Sequence, residues 1–186
     1  MYKFILSFFI FIISFVMMNS SFADEEKNSR KGFVVGIDVG AADLRLSNSG
    51  NEGAFLGGFK VGWGVHERVL LFLEETSLLA FNNVSSTIQA LYVSGQFFLL
   101  KNFYVRPGVG YADAEEDAAA GIATTNFGNA KFVSTDLGFT AAGTAGYEFR
   151  IKKKFALSPE GKFGYLRLGG ANHLFFGAVL DMRWYF

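Results

Sequence analysis

The last stretch of the chain, Asn172 to Phe186, reads NHLFFGAVLDMRWYF and separates into two rows when taken in twos. Leu174, Phe176, Ala178, Leu180, Met182, Trp184 and Phe186 form one row; His173, Phe175, Gly177, Val179, Asp181, Arg183 and Tyr185 form the other. Successive side chains of a strand point to opposite faces. One face is therefore wholly apolar, while the other carries Asp181, Arg183 and a tyrosine hydroxyl. A soluble edge strand would turn the apolar row to a core. A strand of this length, apolar on one side, polar on the other and aromatic at its end, is also what a membrane-crossing β-strand requires. The rest of the chain decides between these readings.

Gly contributes 22 and Phe 23 of the 186 residues, with only 2 Pro, a mixture that suits long strands bending around a barrel. There is no cysteine, hence no disulfide framework and no lipid-anchored thiol. Met1 to Ala23 reads as a cleaved secretory signal peptide. Lys3 is its positive n-region, Phe4 to Met18 its apolar core, Ser21-Phe22-Ala23 its small-x-small cleavage site, and Asp24-Glu25-Glu26 follows at once. The apolar run is shorter than the roughly 20 residues that span a bilayer as a helix. Basic and acidic residues number 17 each, so loss of Lys3 with the leader leaves one net negative charge. Nothing in that balance points to nucleic acid.

No other stretch is long and apolar enough for a spanning helix, yet Phe, Leu and Val remain abundant in alternation. Only helices or closed barrels satisfy every backbone group inside a bilayer, so the mature chain is expected to be a barrel. Asp24 to Lys31 reads as a mobile periplasmic lead-in, and residues 32–186 as the barrel. Eight strands are expected: Gly32 to Leu46, Ala54 to Val65, Arg68 to Phe81, Thr87 to Leu100, Phe103 to Ala112, Phe132 to Ile151, Phe155 to Leu168 and the terminal stretch. Turns at His66-Glu67, Lys101-Asn102 and Lys152 to Lys154 are short. The connections after Leu46 and Ala112 are longer, the longest being Asp113 to Lys131. With both ends in the periplasm, short turns fall there and longer loops outside. Strand three fits poorly: Glu75 falls on its outward row with Val69, Leu71 and Leu73, while Leu70 and Phe72 fall inside. A bulge near Glu74-Glu75 would repair the alternation.

Tyr104-Val105-Arg106-Pro107-Gly108-Val109-Gly110-Tyr111, the alternation around it and the final Trp184-Tyr185-Phe186 resemble the small bacterial outer-membrane β-barrel family, of the OmpX, opacity-protein and OmpA membrane-domain type. The resemblance covers the mature chain. It implies an all-β, eight-stranded antiparallel transmembrane barrel in the outer membrane, in contact with its lipid and lipopolysaccharide. It also implies that Trp184, Tyr185 and Phe186 form the signal read by the outer-membrane assembly machinery.

The expected inward rows collect Asp38, Lys60, Arg68, Glu74, Arg106, Asp136, Glu148, Arg150, Glu160, Lys162, Asp181 and Arg183, six acids against six bases. An eight-stranded barrel is just wide enough to be filled by side chains, and charges buried there must pair. A monomer with a plugged lumen and a structural or adhesin-like role, meeting an extracellular ligand through its loops, is the first reading. A narrow porin-like solute channel is the second. A lipid-modifying enzyme is the third, but the only histidines, His66 and His173, lie in no catalytic pattern. No catalytic, cofactor or metal residues are therefore assigned, since two His and no Cys make a poor donor set, and no glycine-rich segment leads into a phosphate-binding helix.

Overall fold

Alternation carries through into nine hydrogen-bonded strands: β1 (Gly32–Leu46), β2 (Gly50–His66), β3 (Val69–Ala80), β4 (Ser86–Phe98), β5 (Phe103–Glu116), β6 (Gly138–Tyr147), β7 (Phe149–Lys152), β8 (Phe155–Leu168) and β9 (Ala171–Tyr185). The structure is a computed structural model and describes residues 30–46, 50–80, 86–116, 138–168 and 170–186. The expected signal peptide, most of the lead-in, and Asp136 with most of the long loop lie outside the described residues.

β6 and β7 are one wall strand interrupted at Glu148. Gly146 faces Glu160 of β8 and Phe149 faces Leu157, so the register runs through the break unchanged. Eight antiparallel wall strands result, and pairing of β1 with both β2 and β9 leaves no open edge there. The last residue takes part in closure, its amide donating to the Phe33 carbonyl at 2.9 Å. Following facing residues around the wall leads from Val35 through Val61, Leu73, Val93, Val109, Ala141, Tyr165 and Leu174 to Arg45, ten residues further along β1. That stagger tilts the strands against the barrel axis, typically by about 35–45°. Gly50 and Gly170, with φ of 87° and 80°, make the positive-φ bends beside β2 and β9.

The two faces of the wall differ in kind. Outward residues such as Val93, Phe163 and Phe176 are 67%, 61% and 68% exposed. A wall of exposed large apolar side chains this extensive belongs in a bilayer rather than in water. Inward residues are buried, and they fall into two apolar clusters with charge between them.

Strand three corrects the sequence reading. There is no bulge at Glu74-Glu75: Lys60 and Phe59 of β2 face them in unbroken register, and so do Tyr92 and Leu91 of β4. The register shift sits between Gly64 and His66 instead. Glu75 does lie on the outer face, where its carboxylate accepts from the Ser77 hydroxyl at 2.6 Å. Leu70 and Phe72 do lie inside, because the interior of so narrow a barrel packs like a core and takes apolar residues as readily as paired charges. Boundaries also move: β5 runs on to Glu116, so the acidic start of the expected loop (Asp113, Glu115) is wall, and β4 ends at Phe98, leaving Leu99 to Asn102 as the turn.

Candidate functional site

The lumen is stacked in layers between its turn end, which holds the chain terminus and the turns after β2, β4 and β7, and its loop end. At the turn end Val34, Leu70, Phe72, Phe98, Tyr104, Ala156 and Tyr185 form an apolar layer. Glu148, set at the break between β6 and β7, draws cations onto it: Arg150 Nε donates at 2.8 Å, Arg30 Nε at 3.0 Å, and Arg183 stands 3.6 Å away. The Tyr185 hydroxyl donates to its other oxygen. The Arg150 and Arg30 guanidinium groups lie 3.7 Å from the Tyr185 and Phe98 ring centres, a cation–π arrangement.

The charged layer comes next. Glu160 on β8 accepts from Arg106 at 3.0 and 2.8 Å in a fork and from Arg183 at 2.6 Å, with the Tyr104 hydroxyl completing its shell. Such bidentate pairs are the strongest hydrogen bonds a side chain makes. Arg106 also reaches Gln96 Oε1 at 3.1 Å and stands 3.1 Å from Glu74. Lys162 donates to Glu74 and, at 2.7 Å, to the Thr76 hydroxyl. Asp38 and Asp181 face each other across β1 and β9, a like-charge pair that is unfavourable by itself. The Lys60 ammonium lies 2.7 Å from Asp38 and 3.2 Å from Asp181, and Arg183 Nε donates to Asp181. Two glycines leave the room these long side chains need. A Cβ on Gly36 would come within 2.7 Å of Lys60 Cε, and one on Gly146 within 2.6 Å of the Tyr104 hydroxyl.

Asp38, Glu160 and Asp181 each bring an oxygen within 4.8 Å of the others, a spacing that could hold a cation. Lys60 Nζ already stands among them, 3.8 Å from Glu160, so the cluster carries its own positive charge.

Above this layer none of the described residues is a buried charge. Leu44, Leu56, Leu78, Ile88, Leu166, Leu168 and Phe175 fill the loop end together with small alanines. The boundary is drawn by Tyr92, which donates to Thr140 at 3.1 Å, while Thr140 donates to the Tyr165 carbonyl at 3.0 Å.

Of the twelve expected inward charges, Asp38, Lys60, Glu74, Arg106, Glu148, Glu160, Lys162, Asp181 and Arg183 are buried and in contact. Arg150 is only partly covered, at the turn end. Arg68 is a correction: β3 begins one residue later, at Val69, so Arg68 lies in the exposed turn beyond the wall, its amide donating to His66 Nδ1 at 3.2 Å. Arg30 was missed. Read from sequence as part of a mobile lead-in, it crosses the turn-end mouth, binding the Lys101 carbonyl at 2.8 Å and, through its amide, Glu67 at 3.2 Å besides Glu148. Its polar neighbours give no periodic signal. His173 sits half-buried near the loop end, its Nδ1 without a hydrogen-bond partner among the described residues. Trp184 packs on Phe155 and Phe186 on Phe33, with ring centres 5.2 and 6.2 Å apart.

No protein-family model matches the sequence, and no curated protein matches it. Solved structures do match. Neisserial surface protein A superposes with a TM-score of 0.64 at 16% identity, over 83% of this chain and 97% of that one. The Yersinia pestis outer membrane protein Ail, in a phospholipid bilayer nanodisc, gives 0.50 at 8% identity, over 81% of this chain and 99% of that one. The chain has the fold of the small outer-membrane β-barrels: eight antiparallel wall strands closed on themselves.

Proposed function

We propose that the protein is an integral, monomeric barrel of a bacterial outer membrane with a solid lumen, acting as a structural or surface-interaction protein. On this reading, cleavage after Ala23 releases the exported chain. The assembly machinery reads Trp184, Tyr185 and Phe186, and the wall meets outer-membrane lipid and lipopolysaccharide. The loops, chiefly Asp113 to Lys131, are where an extracellular ligand would be met.

The observation that carries this reading is the layered filling of the lumen. Buried carboxylates and cations contact one another directly, and apolar clusters lie on both sides of them. A solute path would need a continuous polar lining, and Leu44, Leu56, Leu78 and Leu166 interrupt it. In small barrels of this width the interior is side chain rather than water. Function then belongs to the outer surfaces.

Purified protein in a planar bilayer is expected to give no steady unitary current. Reproducible wild-type currents would overturn the solid lumen and establish the narrow porin-like channel in its place.

A further inference from the structure

The two ends of the wall carry charge differently. At the loop end Arg45 shares Asn51 with a carboxylate: the Asn51 side chain accepts from Arg45 Nε at 3.2 Å and donates to Asp43 Oδ2 at 3.3 Å. At the turn end, Lys101 lies in the turn after β4, and β7 ends at Lys152 before the turn residue Lys153; all three are exposed. None of these three ammonium groups has a hydrogen-bond or ion-pair partner among the described residues. The acids described at this end are Glu67 and Glu148, and both are engaged elsewhere. Glu67 accepts from the Arg30 amide at 3.2 Å, and Glu148 is buried against Arg30 and Arg150.

The turns that carry the lysines are held from within. Arg30 Nη2 donates to the Lys101 carbonyl at 2.8 Å, and Arg150 Nη1 donates to the Lys153 carbonyl at 3.1 Å. The turn after β4 is also tied to the break between β6 and β7. The Glu148 amide donates to the Asn102 carbonyl at 2.9 Å, and the Asn102 side-chain amide donates to the Tyr147 hydroxyl at 3.4 Å. Beside the lysines Leu99, Leu100, Tyr147, Phe149 and Ile151 are exposed. Unmatched ammonium groups thus border an apolar surface, the arrangement of a membrane–water interface.

We infer that this face holds an anionic phospholipid of the adjoining leaflet, with a phosphatidylglycerol-type head. Its acyl chains lie against the exposed apolar side chains, and its phosphate takes Lys101, Lys152 and Lys153, lysine being a recurrent point-charge partner of phosphate. A zwitterionic head would bring its own cationic nitrogen up to three lysines, with no free carboxylate there to receive it. Clustered basic groups beside a membrane span are a recurrent means of selecting anionic lipid. With the turns in the periplasm, the adjoining leaflet is the phospholipid leaflet of the outer membrane. The proposal rests on the membrane-barrel reading, which the heat-modifiable shift of the folded barrel on a gel reports separately in every sample.

The test is a titration of refolded barrel in an uncharged maltoside detergent, followed by native mass spectrometry. Short-chain phosphatidylglycerol, phosphatidylethanolamine and phosphatidylcholine serve as probes. Wild type should retain phosphatidylglycerol in preference to the other two. Each Lys→Gln change should weaken that binding about fivefold, and Lys101→Gln, Lys152→Gln and Lys153→Gln together on the order of a hundredfold. Removing two exposed cations from the loop end, by Arg45→Gln with Arg167→Gln, should leave it unchanged. All five side chains are exposed, so the variants should keep the heat-modifiable shift. Equal retention of the three lipids by wild type would overturn the proposal, as would wild-type phosphatidylglycerol binding in the triple variant. A loop-end variant that loses as much binding as the triple variant would also overturn it, since net charge rather than a site would then be at work. Absence of the shift in wild type would instead sink the barrel reading beneath it.

Discussion

Near the turn end of the lumen, Glu74, Glu160, Asp38 and Asp181 are matched by Lys60, Arg106, Lys162 and Arg183; near the loop end, the same wall strands turn Leu44, Leu56, Leu78, Leu166 and Phe175 inward. Both halves are filled by buried side chains, yet they depend on different physics. The apolar half gains from area removed from contact with water, with no directional demand, so its cost of error is graded by lost volume. The charged half gains little from burying ions, because desolvation offsets most of the Coulomb attraction. Its demand is completeness: each ion is tolerable only while its partners are in place. The polar half should therefore be brittle to single changes and forgiving of paired ones, and the apolar half should behave like the core of a soluble protein.

The largest effect is expected from Glu160→Ala, which strips the shared acceptor from Arg106 and Arg183 and leaves two buried guanidinium groups undercompensated. A loss of about 3–5 kcal/mol is expected for removing one partner of a buried ionic group, read by urea unfolding of the barrel in phospholipid vesicles. A loss below that of an exposed rim substitution would mean that water reaches the charged layer. Leu166→Ala, fully buried in the other half, should cost about 2–5 kcal/mol through transfer and cavity terms. If it costs nothing in the same assay, the loop-end cluster is not a core.

The sharpest separation of the halves is a double-mutant cycle. Glu74→Leu and Lys162→Leu should each destabilise, but together they should cost less than the sum by about 1–3 kcal/mol, the range for residues in one network. Strict additivity would show that the two groups do not depend on each other. The smallest effect belongs to the boundary. Tyr92→Phe removes one hydrogen bond to Thr140 and keeps the ring, so about 1 kcal/mol is expected. A several-fold larger loss by the same measurement would make Tyr92 a member of the ionic network rather than its upper edge.

Much of this barrel could be read from the chain because alternation is local. The rows in Asn172 to Phe186, in Phe103 to Tyr111 and in Phe155 to Leu168 each declare two faces without knowledge of any neighbour, and β8 falls on the bounds expected for it. Nine of the expected lumen charges were placed by parity alone. What parity could not supply is the partner. Arg106 meets Glu160 across 54 residues of sequence, and Lys162 meets Glu74 across 88. Those contacts exist because closure with a ten-residue stagger brings particular heights of distant strands together. The rule that inward means polar also misled at Leu70, Phe72 and Glu75. Apolar-out and polar-in describes a water-filled pore, and here the interior is a core. Arg30 stayed invisible for a related reason: it precedes the first strand, belongs to no period, and acquires its role only when four separate elements converge on the turn-end mouth. Strand number and face are properties of short windows and were decided by the sequence; the layering of the lumen and the pairing of its charges depend on stagger and closure, and only the tertiary structure decided them.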